Sequence, residues 1–181
     1  MITLSLLPDQ ALSRLTRKMS FSLSDMCPLF EVIDNRFIFP HIPLFVLPFE
    51  IPLPEKKFAS PLLVPGQLVY SAGKVTFPMK TSLEKFQSEL KKILPQSVVQ
   101  ISPELMIGAL TEGSISPAFL ESKFSSFTEK LLLSPCLSSS IALCEIDEHG
   151  YAKRIISSTP LLLPDDKSNP PQSMNFMPSR Q

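Results

Sequence analysis

Net charge is absent from this chain: 17 basic and 17 acidic side chains cancel. Binding long nucleic acid requires a positive surface that displaces counterions, so no long-duplex partner is expected. A small anionic ligand in a local pocket is still allowed. Cysteine is scarce too. Cys27, Cys136 and Cys144 form an odd set with no C-x-x-C pair. Neither a disulfide framework nor a zinc site is expected, and the three thiols read as buried and inert. No motif calls for a metal or a cofactor. Long hydrophobic runs are also missing. The most apolar stretch, Phe37 to Pro54, is broken by five prolines, His41 and Glu50. It reads as strand and turns, not as a membrane span. The start, Met1 to Asp9, lacks the basic region of a signal peptide. A cytoplasmic protein without membrane contact is the expectation. Glycine numbers only 5, and neither a phosphate-cradling glycine loop nor a nucleophile elbow is present.

What is present is proline and apolar bulk. Hydrophobic residues make up 44% of 181, enough for one packed domain. The 19 prolines are about twice ordinary usage, yet with glycine they stay below the ~25–30% typical of disordered chains. They therefore punctuate a folded chain.

Ile2 to Leu7 reads as a strand, and Asp9 caps a helix with Leu12, Leu15 and Met19 on one stripe. Residues 21–36 fit no single element: they read as a loop, with a short strand at Phe30 to Ile33 as the alternative. Phe37 to Phe49 is strand-like between its prolines. Gln67 to Ala72 and Lys74 to Met79 read as strands joined at Gly73. Thr81 and Glu84 have capping-box spacing, ahead of a helix striped by Leu83, Phe86, Leu90 and Ile93 and ended by Pro95. Lys91 and Lys92 sit at its exposed end. Ile101 to Leu110 is a further strand. Ser116 caps a helix with Pro117 in its first turn and a stripe through Phe119 or Leu120, Phe124, Phe127 and Leu131. Ser140 to Ile146 and Tyr151 to Ser157 read as a hairpin around Asp-Glu-His-Gly, with His149 as an exposed turn residue. This gives an α/β (α+β) domain over residues 1–164, with a β-α-β-β theme stated twice. Residues 165–181 read as a flexible proline-rich tail.

Two segments share a frame. Residues 40–49 read Pro-His-Ile-Pro-Leu-Phe-Val-Leu-Pro-Phe, and residues 103–108 read Pro-Glu-Leu-Met-Ile-Gly. Both resemble the paired Pro-His-(apolar)-Thr-(apolar) motifs of 2H phosphoesterases, the group of 2'-5' RNA ligases and cyclic phosphodiesterases. The resemblance covers about residues 1–164. His41 keeps the first histidine. Pro43 and Met106 replace the two threonines, and Glu104 replaces the second histidine.

The resemblance implies a two-lobed fold of duplicated β-α-β-β units, with two antiparallel sheets flanking a central groove. Positions i and i+2 of a strand point the same way, so each motif would place two side chains in that groove. His41 and Glu104 would be the catalytic pair, with Pro43 and Met106 lining the phosphate site. One catalytic group takes a proton from the attacking oxygen and the other gives one to the leaving oxygen, without a metal. A bound phosphate would favour the protonated carboxyl of Glu104, the form an acid needs, while the ionised form would repel it. The implied function is binding of a nucleotide or RNA end with a 2',3'-cyclic or 2'-5' phosphate. Turnover of the cyclic phosphodiesterase type would be weak or absent. Pro43 within a strand also points to an edge or a bulge.

Other readings stay open. His41 alone reads as a partly buried histidine bonded to backbone or to a carboxylate, and Glu104 as an exposed, solvated glutamate at a strand start. The same fold could serve as a non-catalytic protein-interaction or scaffold module, as the proline-rich tail and apolar loops around Val46 to Leu53 suggest. An unrelated α+β domain is the third reading.

Overall fold

A computed structural model of the chain describes residues 1–80, 82–111, 115–133 and 136–163. The first strand, β1 (Ile2–Pro8), leads into α1 (Gln10–Ser24). The switch is local: Asp9 is extended, and its Oδ1 accepts a hydrogen bond of 2.8 Å from the Leu12 amide. That satisfies one of the orphan donors of the first turn. Replacing Asp9 by alanine is expected to cost about 1 kcal/mol, read as a lower urea midpoint with an unchanged slope. An unshifted midpoint would show that the cap is dispensable. Leu12, Met19 and Leu23 face the core from α1, together with Thr16 and Ser20.

The chain continues through β2 (Ile42–Leu47), β3 (Leu62–Pro65), β4 (Val69–Ser71) and β5 (Lys74–Lys80). Next come α2 (Ser82–Lys91), β6 (Val99–Gln100), β7 (Glu104–Ala109), α3 (Pro117–Leu133), β8 (Cys136–Ile146) and β9 (Ala152–Pro160). The described residues form a mixed α+β fold with an open nine-stranded sheet and three helices. Strand order is β4-β5-β3-β8-β1-β2-β6, with β7 added on β5 and β9 on β8. Every pair of named strands is antiparallel. Short β3 bridges the two branches, pairing β5 on one edge and the start of β8 on the other.

The core lies between the sheet and the helices. Leu4 and Leu6 of β1, Met19 and Leu23 of α1, Phe77 of β5, Leu83 and Leu90 of α2, and Phe124 of α3 all pack into it. Each such side chain contributes roughly 1.5–3 kcal/mol of burial. The α2 stripe is buried at Leu83, Phe86 and Leu90, but Ile93 lies past the helix end and is 50% exposed. On α3, Leu120 rather than Phe119 turns inward.

Some expectations need correction. Phe30 to Ile33 is not a strand. The segment is irregular, and the isolated bridge from Leu29 to Leu110 lies just before it. Backbone groups in it are taken by side chains, the Glu31 carbonyl by the Tyr151 hydroxyl and the Ile33 amide by Ser20 Oγ. The Asp34 Oδ1 that follows accepts from the amides of Arg36, Phe37 and Ile38. Such side-chain bonds compete with strand pairing. β3 and β6 were not visible in the sequence pattern, being short and set among prolines. The loops around Val46 to Leu53 are only partly exposed: Leu47 and Ile51 are buried, whereas Phe49 is exposed. Thr81, the first residue of the expected capping box, lies outside the described residues, as do the side chain of Leu131 and residues 164–181.

Candidate functional site

His41 immediately precedes β2, which carries a bulge near its start. Ser5 of β1 pairs with Pro43 and Leu4 with Phe45, so Leu44 is an extra residue. Proline has no amide hydrogen for the ladder, and a bulge is where a sheet tolerates it. The freed Leu44 carbonyl accepts from the Ile101 amide at 3.1 Å and from Gln87 Nε2 at 3.0 Å. The same Gln87 nitrogen donates to the Ile101 carbonyl, also at 3.0 Å. Gln87 is buried on the inner stripe of α2, one residue from Phe86, and both its amide protons are used. It thereby ties the bulge of β2 to the segment that leads into β7.

That tie brings the two motif segments together. His41, Pro43, Glu104 and Met106 all line one cavity of about 190 Å³. The other walls come from Lys74 and Thr76 of β5, from Ile101, and from the β8–β9 turn at Asp147 and Gly150. Period-two alternation is kept three times over. His41 and Pro43, Lys74 and Thr76, and Glu104 and Met106 each contribute side chains two positions apart. Across the β5–β7 pairing, Thr76 stands opposite Met106, next to a second bulge. At about 190 Å³ the cavity is smaller than the ~300–1,000 Å³ usual for drug-sized ligands. It suits a small group, with the rest of a larger ligand left outside.

His41 is the distinctive group. It is only 3% exposed, and its Nδ1 lies 3.2 Å from the Phe39 carbonyl oxygen. A carbonyl can only accept, so Nδ1 carries the hydrogen. Burial pushes the His41 pKa down to about 4; the Phe39 carbonyl and the Asp147 carboxylate pull weakly the other way. The ring is therefore neutral at pH 7, and Nε2 presents a bare lone pair. Among the described residues Nε2 has no hydrogen-bond partner. A buried polar atom left unpaired costs roughly 1–3 kcal/mol. Such atoms in native proteins mark places where something else completes the bond.

The carboxylates differ in how far their charge is already matched. Asp147 Oδ1 accepts from the amides of His149 and Tyr151, and its Oδ2 lies 3.4 Å from Lys153 Nζ. Glu148 also borders the cavity, but its side chain is 88% exposed and lies 3.7 Å from His149 Nε2. Glu104 is half-buried on the cavity wall, not the fully solvated side chain its position after a proline allows.

No protein-family model matches this sequence, and no curated protein matches it significantly. The site therefore rests on its own geometry. Among the described residues no cluster of three or more His, Cys, Asp or Glu side chains is arranged to hold a metal ion. Nor is any helix there long and apolar enough to cross a membrane. The three cysteines are buried, which raises each thiol pKa, that of Cys144 to about 11, and so disfavours the reactive thiolate. His149 lies in the hairpin turn as expected, but it is not freely exposed. Its ring stacks on Phe30 with centroids 3.9 Å apart, and it does not line the cavity.

Lys74, Thr76, Gln87 and Asp147 were not singled out from the sequence. For two of them a signal exists. In Lys-Val-Thr-Phe-Pro-Met, the apolar Val75, Phe77 and Met79 turn to the core, which leaves Lys74 and Thr76 on one opposite face. A wider concavity of about 640 Å³ lies elsewhere, between Phe49–Lys56 and Ile93–Pro95. It is mostly apolar and holds no buried titratable group, unlike the smaller cavity with its buried His41.

Proposed function

We propose that the cavity holds the phosphate of a nucleotide or RNA end carrying a 2',3'-cyclic or 2'-5' linkage, with weak or absent turnover. The carrying observation is a buried, neutral histidine with a bare Nε2, in one cavity with the glutamate that stands where a second histidine would. On this reading the fold is a diverged, two-lobed 2H phosphoesterase-like arrangement. The branch containing β1, β2, β8 and β9 supplies His41, and the branch containing β5 and β7 supplies Glu104.

The chemistry follows from those positions. A water oxygen would attack the phosphorus of the cyclic ester while His41 Nε2 accepts its proton. The bond from phosphorus to one ribose oxygen breaks, and that oxygen takes a proton from the Glu104 carboxyl. A base whose pKa is held to about 4 by burial is weak at neutral pH. An anion bound beside it would favour the imidazolium and strengthen it during the reaction. Both threonines of the resembled motifs are absent, so Pro43 and Met106 offer no hydroxyl to hold the phosphoryl oxygens. Weak turnover is the consequence.

The test is exposure of the protein at pH 7 to millimolar 2',3'-cyclic AMP, followed by thermal melting and by chromatography of the nucleotide. A ligand-dependent rise in melting temperature is expected, with slow ring opening at most. Neither protection nor product would remove the nucleotide reading.

A second reading has its own support. The apolar concavity beside Phe49, Ile93 and Pro95 suits a protein contact. On it, the domain is a non-catalytic interaction module, and the histidine is a buried structural residue.

A further inference from the structure

The geometry points to Lys74 and Thr76 as the anion-holding side of the cavity, taking the phosphoryl oxygens that Pro43 and Met106 cannot bind. This assignment rests on the phosphate reading given above and deepens it. Both residues line the same cavity as His41 and Glu104. Lys74 opens β5 immediately after a two-residue turn in which Ala72 and Gly73 both have positive φ, 49° and 74°. That turn type matches the twist of a tight hairpin and fixes where the lysine stem leaves the backbone.

The ammonium is free to act. Among the described residues it takes part in no salt bridge. Asp147, a nearby candidate partner, is occupied by two backbone amides and Lys153. Space for the ammonium is made by a missing side chain. A Cβ built on Gly150 would lie 3.1 Å from Lys74 Nζ and 3.7 Å from Met106 Sδ. Gly150 also has φ +94°, a conformation other residues rarely adopt. One glycine thus makes the hairpin turn and leaves the lysine head its place.

Thr76 adds a neutral donor. It is only 6% exposed and stands across the strand pair from Met106. A hydroxyl absent from position 106 on β7 is thereby supplied from the neighbouring strand. His41 completes the set with the opposite polarity: its bare Nε2 accepts, whereas Lys74 and Thr76 donate. A ligand with an anionic oxygen on one side and a hydroxyl or water proton on the other satisfies all three.

The test uses two probes, inorganic phosphate and 2',3'-cyclic AMP, titrated calorimetrically into the whole chain and into Lys74→Met, Lys74→Arg and Thr76→Val. Lys74→Met keeps the apolar stem, and melting curves without ligand confirm that each variant folds. Both probes are expected to bind roughly tenfold to a hundredfold more weakly to Lys74→Met, the range for losing a charge-assisted hydrogen bond. Lys74→Arg should recover most of that loss, and Thr76→Val should lose less than Lys74→Met. Gly150→Ala should weaken both probes as well, by crowding the ammonium. Equal binding of cyclic AMP to wild type and Lys74→Met would overturn this assignment and leave the nucleotide reading standing. Lys74-dependent phosphate binding without nucleotide binding would keep the anion site and remove the nucleotide. Binding of neither probe would remove both.

Discussion

Replacing His41 by alanine is expected to abolish detectable hydrolysis of any cyclic phosphate ester that the wild type turns over, a loss of roughly 10²–10⁴-fold. The same substitution should reshape the pH dependence of stability, and that effect does not require turnover. The folded His41 titrates near 4, against an ordinary 6.5. Between those values the unfolded chain binds a proton that the folded chain does not. Stability from this residue is therefore complete above about pH 6.5 and is lost as the pH falls toward 4. The gap of about 2.5 units corresponds to roughly 3 kcal/mol at full extent. Urea denaturation at pH 7.5, 5.5 and 4.5 should show the wild type losing stability faster than His41→Ala. Parallel profiles would mean that the imidazole is not held neutral by burial, and the case for a bare Nε2 would fall with it.

The second large effect is expected at Tyr151. Its ring is fully buried, and its hydroxyl donates to the Glu31 carbonyl at 2.7 Å and accepts from the Ala109 amide at 2.8 Å. One hydroxyl thus fastens the irregular loop after α1 to the end of β7, from the base of the hairpin turn that walls the cavity. Tyr151→Phe keeps the ring and strands both backbone groups. The expected cost is about 1–3 kcal/mol, a fall in melting temperature of roughly 3–10 °C for a chain of this size. Tyr151→Ala should cost about 3–5 kcal/mol, since it also opens a void. An alkaline signature separates the hydroxyl from general packing. Burial raises the phenol pKa above its ordinary 10.0. Its stabilising share is present below pH 10 and is lost above it as the pH climbs toward the raised value. Tyr151→Phe should lack that alkaline loss. An identical loss in the variant would assign the effect to other groups.

The effects around the cavity interlock. Glu31 and Asp147 both reach Lys153, with Glu31 Oε1 at 2.8 Å. These groups are partly exposed, so the ion pairs contribute little to stability. Their use is orientation: they hold the Asp147 carboxylate in the turn and keep the Lys153 ammonium engaged. Phosphate affinity should accordingly be far more sensitive to Lys74 than to Lys153.

Much of the secondary structure was legible because its signals are local. The Asp9 cap, the α2 stripe, the Pro117 helix start and the Asp-Glu-His-Gly turn each depend on residues within a few positions of one another. That Pro43 needs an edge or a bulge was legible for the same reason, since a missing amide hydrogen is a property of one residue; the register of β1 with β2 decided for the bulge. The strands β3 and β6 were not, because their pairing comes from partners far along the chain: Leu62 pairs with Leu137, and Phe45 with Gln100. Partial burial of His41 was one reading of the sequence, but its near-complete enclosure and its Nε2, unpartnered among the described residues, were not legible. Its neutrality comes from the surrounding packing, not from its neighbours in sequence.

The sequence by itself determined which side chains share a face. An alternation of two puts His41 with Pro43, Lys74 with Thr76, and Glu104 with Met106, whatever the rest of the chain does. Only the tertiary structure decided that these three faces close on one cavity. That closure depends on two bulges, on the antiparallel register of β5 with β7, and on the Gln87 tie between α2, β2 and the approach to β7. Those are long-range pairings whose energies come from hydrogen bonds and burial formed on folding, so no local pattern encodes them.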